Sequence, residues 1–409
     1  MNHIEKLLQT LAPKGVEFRK LGEVINILKG KQLNKELLLD YGEYPVMNGG
    51  IHASGYWNEY NTDYPKIIIS QGGASAGYVN YMTSKFWAGA HCYAIELNSE
   101  KLNYKFLYYF LKNSQTILMK SQFGAGIPAL NKADIETLTI PIPPLEIQQE
   151  IVKILDAFTE LNTELNTELK ARKKQYQYYQ NMLLDFNDIN QNHKDAKMSV
   201  KPYPKRLKTL LQTLAPKGVG FKKIGELFKR NKGINITAAQ MKELHSEIGK
   251  VRIFAGGATK ADIDYKDISK KDIINCESVI IKSRGNIGFE YYNQPFSHKN
   301  EIWSYSLKTN QMLVKFLYYY LSNNQYYFQK LAQSSSVKLP QLSVSDTDEY
   351  EMPVPPLEIQ QEIVTILDQF SALTTDLLAG IPAEIKARKK QYEYYREKLL
   401  AFKPLTPNK

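Results

Sequence analysis

Beyond the double proline at 143–144, apolar side chains fall at Ile147, Ile151, Ile154, Phe158, Leu161 and Leu165. Steps of three and four put them on one face of a helix. Proline suits the start, because first-turn N–H groups have no helical partner. No proline or glycine occurs from 145 to 186, so the pattern predicts a single rod of up to ~60 Å at 1.5 Å per residue. A rod that long with one apolar stripe usually pairs with another. The stretch 357–402 has the same stripe, and Gly380 and Pro382 are expected to kink it. Elsewhere the pattern changes. Short β-branched runs (KIIIS at 66–70, SVIIK at 278–282) sit between Gly/Asn turns and predict strands. KFLYYFLKNSQTILM and its later counterpart each predict one helix with a buried aromatic face.

The counterpart is one of several. LLQTLAPKGVEFRKLGE at 7–23 returns as LLQTLAPKGVGFKKIGE at 210–226, and KFLYYFL at 105–111 as KFLYYYL at 315–321. PIPPLEIQQEIVKILDAF at 141–158 returns as PVPPLEIQQEIVTILDQF at 353–370, and ARKKQYQYY at 171–179 as ARKKQYEYY at 387–395. The order is kept and the offset grows slowly. The chain is a tandem duplication, and two homologous half-molecules predict pseudo-two-fold symmetry. Residues 26–104 and 228–314 barely resemble each other. They share scattered anchors: NGG at 48–50 against AGG at 255–257, and IIIS at 67–70 against VIIKS at 279–283. One scaffold was kept twice and one surface was allowed to differ. Residues 187–204, with almost no apolar side chains, read as an exposed linker.

Composition narrows the classes. The chain has 409 residues, with 53 Lys+Arg against 42 Asp+Glu, and a formal net charge of +11. Charged residues at 23% and hydrophobic ones at 43% exclude global disorder. No apolar run reaches a membrane span, and the N-terminus lacks the apolar core of a signal peptide. The expected location is the cytoplasm, with no membrane partner. Cys92 and Cys276 are too few for a disulfide framework or zinc cage. The basic excess favours a polyanionic partner.

These repeats carry a resemblance. PIPPLEIQQEIVKILD and PVPPLEIQQEIVTILD are each followed by KARKKQYxYY and a closing Leu-Leu-x-Phe, and GAGIPALNKADIETLTIPIPP leads into the first helix. In these features the chain resembles the specificity subunit of type I restriction-modification systems over essentially its full length. The resemblance implies an α+β fold: two homologous α/β target-recognition domains joined by two long antiparallel, coiled-coil-like helices. The implied layout is recognition domain 1 at 1–140 with an N-terminal segment at 1–16, and a first spacer helix at 141–186. A linker at 187–205, recognition domain 2 at 206–352, and a second spacer helix and tail at 353–409 complete it. Each domain would read one half of an asymmetric bipartite target in double-stranded DNA. Methyltransferase subunits would dock on the helices, and a restriction/translocase subunit is a further candidate partner. The chain itself would be non-catalytic and need no cofactor. At 159–170 the sequence reads TELN-TELN-TELK. Some family members carry tetrapeptide repeats here whose number sets the spacing of the half-sites. Four helical residues span ~6 Å.

Motifs for chemistry fall short. Asn293-Gln294-Pro295-Phe296 resembles the catalytic tetrapeptide of N6-adenine methyltransferases, but Gln294 replaces a proline. The nearest cofactor-loop string, Phe123-Gly124-Ala125-Gly126, has misplaced glycines. No phosphate-binding loop of Gly-x-x-x-x-Gly-Lys-Ser/Thr type is present. The pairs Glu168/Lys170 and Glu384/Lys386 have nuclease-like spacing but lie in helical repeats. His91-Cys92 lacks further metal ligands. The alternatives to a specificity subunit are a stand-alone DNA-binding or architectural protein and, less well supported, an N6-adenine methyltransferase.

Base-edge readout needs amide, hydroxyl and basic side chains on loops, with glycine allowing close approach. In the first half Asn48, His52, Ser70, Gln71, Ser75 and His91 meet that need; in the second, Lys260, Lys282, Ser283, Arg284, Asn286 and Lys299 do. IKSRGNIG at 281–288 is the strongest single segment. The cations among these can equally contact phosphate.

Overall fold

The computed structural model describes residues 2–124, 128–186, 203–334, 339–375 and 379–405. Most of the expected linker, residues 187–202, lies outside these, as do Ala125 and Gly126 of the glycine string. The chain divides into two compact units. One comprises residues 1–166 and 384–409; the other comprises 167–383. The helix Leu145–Leu184 is unbroken, as its pattern requires, and it contributes to both units.

In the first unit a four-stranded antiparallel sheet has the order β2 (Ile25–Lys29), β8 (Cys92–Leu97), β5 (Lys66–Ser70), β6 (Val79–Met82). A three-stranded sheet has the order β4 (Gly55–Trp57), β3 (Tyr44–Met47), β7 (Trp87–Ala88), with β3 and β7 parallel. A third pair, β1 (Glu17–Lys20) with β9 (Thr139–Ile142), closes the base. The apolar run in β5 is continuous because both its faces are covered. Ile67 and Ile69 enter a core formed with Phe106, Leu107 and Leu111 of the helix Tyr104–Asn113. Ile68 points the other way, against Met47 and Phe86.

The second unit repeats this plan. Its sheets are β11 (Phe228–Asn231), β17 (Trp303–Leu307), β14 (Ser278–Lys282), β15 (Gly288–Tyr292), and β13 (Lys260–Ile263), β12 (Val251–Phe254), β16 (Phe296–His298). The closing pair is β10 (Phe221–Lys223) with β18 (Glu351–Pro353). Val279 and Ile281 face the helix Val314–Asn323, while Ile280 packs with Phe254 and Phe296. Two segments with little sequence in common thus share one topology.

The repeated motifs explain how. Gln148 of the first PPLEIQQ is fully buried. Its Oε1 accepts from the Asn103 N–H at 2.7 Å, and its Nε2 donates to the carbonyls of Lys101 (2.8 Å) and Pro143 (2.6 Å). Gln360 does the same with the Leu313 N–H (2.9 Å) and the carbonyls of Gln311 (2.9 Å) and Pro355 (2.7 Å). Each glutamine ties the start of a spacer helix to the start of a domain helix. About two turns on, Asp156 accepts from Lys105 Nζ (2.9 Å) and the Tyr109 hydroxyl (2.5 Å), and Asp368 accepts from Lys315 Nζ (2.7 Å) and the Tyr319 hydroxyl (2.6 Å). Burial first, and the facing carboxylate second, hold both phenols well above their usual range, so they remain donors.

Each unit pairs its own spacer helix with the distal half of the other copy's. Phe158 stacks on Tyr395 with ring centroids 5.5 Å apart, and Leu155 shares a core with Leu399 and Leu400. Phe370 stacks on Tyr179 at 5.0 Å, and Leu367 shares a core with Met182 and Leu183. The helices run antiparallel in both pairs, since earlier residues of one meet later residues of the other. The ILDxF motif of one copy therefore recognises the QYxYY motif of the other.

Two expectations are corrected. The second spacer is not one kinked helix: among the described residues it is helical over Leu357–Thr375 and Ile381–Leu399, with Ala379 and Gly380 non-helical and Pro382 in the first turn of the second helix. The aromatic helices are each two helices, broken at Ser114 and at Asn324. Both residues are small and polar and readily form turns.

Candidate nucleic-acid interface

In the first unit the candidate residues gather where β3 and β5 end and β8 begins. The Gln71 N–H donates to the His91 carbonyl at 2.9 Å, the His91 N–H to Asn48 Oδ1 at 3.3 Å, and Ser70 Oγ lies 3.5 Å from the Gly50 carbonyl. Ser75 sits in the turn that returns to β6, accepting from the Tyr78 N–H on its carbonyl. His52 and His91 are exposed, whereas Ser70 is buried. Gln71 Oε1 is buried without a hydrogen-bond partner among the described residues.

The second unit places its set around the corresponding strand ends, with Lys260 opening β13, Lys282 ending β14 and Lys299 following β16. Ser283 and Arg284 follow β14 as Gln71 and Gly72 follow β5. The Leu130 N–H donates to the Gln71 carbonyl (2.8 Å) and the Gly73 N–H to the Pro128 carbonyl (2.8 Å); the Leu342 N–H donates to Ser283 (2.9 Å) and the Gly285 N–H to Pro340 (2.8 Å). Gly73 and Gly285 both have positive φ, +80° and +72°, which a side chain would strain. This pair of matching clamps sets the register between the copies. Sequence reasoning missed Pro128 and Pro340, although the shared Pro-x-Leu of IPALN and LPQLS was a visible signal.

The chemistry differs. Lys282 Nζ lies 2.6 Å from Glu290, and Lys299 Nζ lies 2.9 Å from Glu301, so two of the four candidate cations are partly neutralised. Arg284 and Lys260 are exposed and have no ion pair among the described residues. The Ser283 hydroxyl is turned inward to the Glu301 carbonyl at 2.5 Å. Asn286 is exposed beside the helix 325–334, whose Gln329 and Gln325 bind the Ile287 N–H and carbonyl at 2.8 Å each.

The enzyme-like strings have structural roles. Asn293 to Pro295 form the turn between β15 and β16, and Phe296 opens β16, fully buried against Phe254 and Tyr292. Cys92 is buried, which pushes its thiol up to about 12. No group of three or more His, Cys, Asp or Glu suited to a metal occurs among the described residues. Among them, too, no helix is long and apolar enough to cross a membrane.

A family model described as the type I restriction modification DNA specificity domain matches twice, at residues 13–174 and 216–387. The chain belongs to this specificity family. A type I restriction enzyme specificity subunit of Haemophilus influenzae is 32% identical over 98% of both chains. The EcoR124I/EcoR124II specificity subunit of Escherichia coli is 28% identical, covering 99% of this chain and 98% of that one. The fold is similar to the crystal structure of a type I S subunit from M. genitalium, with a TM-score of 0.63 at 23% identity over 94% and 96% of the two chains. The two matches of the specificity model fall on the two copies read from the repeats. As a specificity subunit, the chain is the sequence-selecting, non-catalytic member of a restriction-modification system.

Proposed function

We propose that each variable segment reads one half of an asymmetric bipartite site in double-stranded DNA, through the loops after β3, β5 and β7 and their counterparts after β12, β14 and β16. The observation that carries this reading is the matching pair of clamps. One rigid frame presents Asn48, His52, Gln71, Ser75 and His91 in one copy and Lys260, Lys282, Arg284, Asn286 and Lys299 in the other, while Ser70 and Ser283 are buried within the frame itself. A constant frame with unlike loop chemistry suits recognition of two unlike half-sites. On this reading residues 1–140 and 206–352 are the recognition domains, and the spacer helices lie within 141–186 and 353–409.

Modification (methyltransferase) subunits are the partners we assign to the helical scaffold, in the cytoplasm, with a restriction subunit as a further partner. The scaffold's duplicated surface offers two equivalent docking places. The test is exchange of residues 26–104 for the corresponding segment of another specificity subunit, followed by mapping of methylated bases in a host carrying the modification subunit. One half of the recognised sequence should change and the other remain. Change in both halves, or in neither, contradicts the reading.

A further inference from the structure

The two clamps align the copies residue by residue where their sequences do not. Gln71 and Ser283 each accept from a leucine N–H, and Gly73 and Gly285 each donate to a proline carbonyl. Between them, Gly72 bridges to Ala129 and Arg284 bridges to Gln341 in the same antiparallel manner. Gly72 and Arg284 therefore occupy one structural position.

In the second unit that position carries an exposed guanidinium with no ion pair among the described residues. Its backbone is held on both sides, so the side chain starts from a fixed point. An arginine fork so placed can bond O6 and N7 of guanine with two parallel hydrogen bonds. The first unit has no side chain there, yet space for one. A Cβ built on Gly72 would find its nearest neighbours at 3.6 Å (His91 Nδ1) and 3.9 Å (the Pro128 carbonyl), which are ordinary contacts. Its φ is not in the left-handed region, unlike that of Gly73. The glycine at 72 is thus not demanded by the local backbone.

We infer that this shared position determines specificity: Arg284 reads a base pair in one half-site, and Gly72 leaves the equivalent place unread in the other. The inference rests on the half-site reading above and deepens it. It follows that the contact can be removed from one unit and installed in the other.

The experiment maps methylated bases genome-wide in a host carrying the modification subunit with the full chain or with Arg284→Gly, Arg284→Lys or Gly72→Arg. Arg284→Gly should relax the preference at one base pair of one half-site by roughly 5- to 150-fold (about 1–3 kcal/mol). Arg284→Lys should restore that preference only in part, because lysine lacks the planar fork. Gly72→Arg should create a new preference at one base pair of the other half-site. If Gly72→Arg fails to fold by thermal melting, the two Arg284 variants decide. Uniform weakening of all sites by Arg284→Gly, fully rescued by lysine, would mean a phosphate contact and overturn the inference. So would an unchanged motif in both Arg284→Gly and Gly72→Arg. Alteration of both half-sites by Arg284→Gly alone would overturn the half-site reading itself.

Discussion

The cluster of the first unit is built from amides, imidazoles and hydroxyls, and that of the second from four cations with a serine and an asparagine, two of the cations tied to Glu290 and Glu301. The frame beneath is the same in both, down to the carbonyls that Gln148 and Gln360 bind. The contrast shows where sequence change is tolerated. Frame contacts are buried and mutually dependent, so altering one strands its partners. Loop side chains project from backbone that is already satisfied, so they can change class without unfolding anything. Conserved packing and divergent chemistry are then separate properties of the same strand ends.

The first way to break the comparison is to damage the frame equally. Gln148→Ala and Gln360→Ala each remove the partner of one N–H and two carbonyls, of which the Pro143 and Pro355 carbonyls are buried. At about 1–3 kcal/mol for a stranded buried group, each should cost about 1–3 kcal/mol, read by chemical denaturation of the chain. A loss in one variant and none in the other would show that the two frames are not energetically alike.

The next concerns the join. Within the TELN units each threonine donates to the carbonyl four residues back (Thr159 to Leu155 at 2.9 Å, Thr163 to Thr159 at 2.8 Å). The asparagines do likewise (Asn162 to Phe158 at 2.9 Å, Asn166 to Asn162 at 2.7 Å). Deleting residues 163–166 leaves every unit with the same internal bonds and lets one half-buried leucine take its neighbour's place. The helix should shorten by ~6 Å and its remainder turn by about 40°. Methylome sequencing should then find the same two half-sequences separated by about one base pair less. Methylation at the original gap with undiminished activity would separate the repeats from spacing.

Salt sharpens the contrast in charge. Affinity for target DNA should fall steeply with ionic strength, since each phosphate contact contributes a slope of about −0.9 in log K against log salt. Lys260→Ala should reduce that slope by about 1 if the side chain touches phosphate. Gln71→Ala, which removes no charge, should leave it unchanged. Equal slopes for all three proteins would remove Lys260 from the contact surface.

The smallest effect is expected from Glu301→Gln, which releases Lys299 from its 2.9 Å partner. Affinity at low salt should rise by less than ~1 kcal/mol, as partly exposed ion pairs contribute little, and the gain should vanish at high salt. A loss of affinity instead would mean that the pair positions Lys299 rather than restraining it.

Periodicity and repetition determined the duplication, a helix unbroken from 145 and the strands at 66–70 and 278–282, while the family was legible only through the resemblance of the PPLEIQQE and KARKKQY motifs. Those signals are local or internal, and a sequence displays them directly. Tertiary structure decided the rest. Which helix half packs with which domain depends on Phe158 finding Tyr395 and Phe370 finding Tyr179, contacts between residues far apart in the chain. The break at 379–380, where a kink was expected, reflects the chain's freedom to turn at Gly380, which a stripe of apolar positions does not register. The candidate residues could be named from their chemistry. Their gathering at one set of strand ends, the pairing of Lys282 and Lys299, and the equivalence of Gly72 with Arg284 could not. Those depend on backbone hydrogen bonds between loops, which any residue can accept on its carbonyl; the shared Pro-x-Leu at 128–130 and 340–342 marks where the clamps lie but not what they hold.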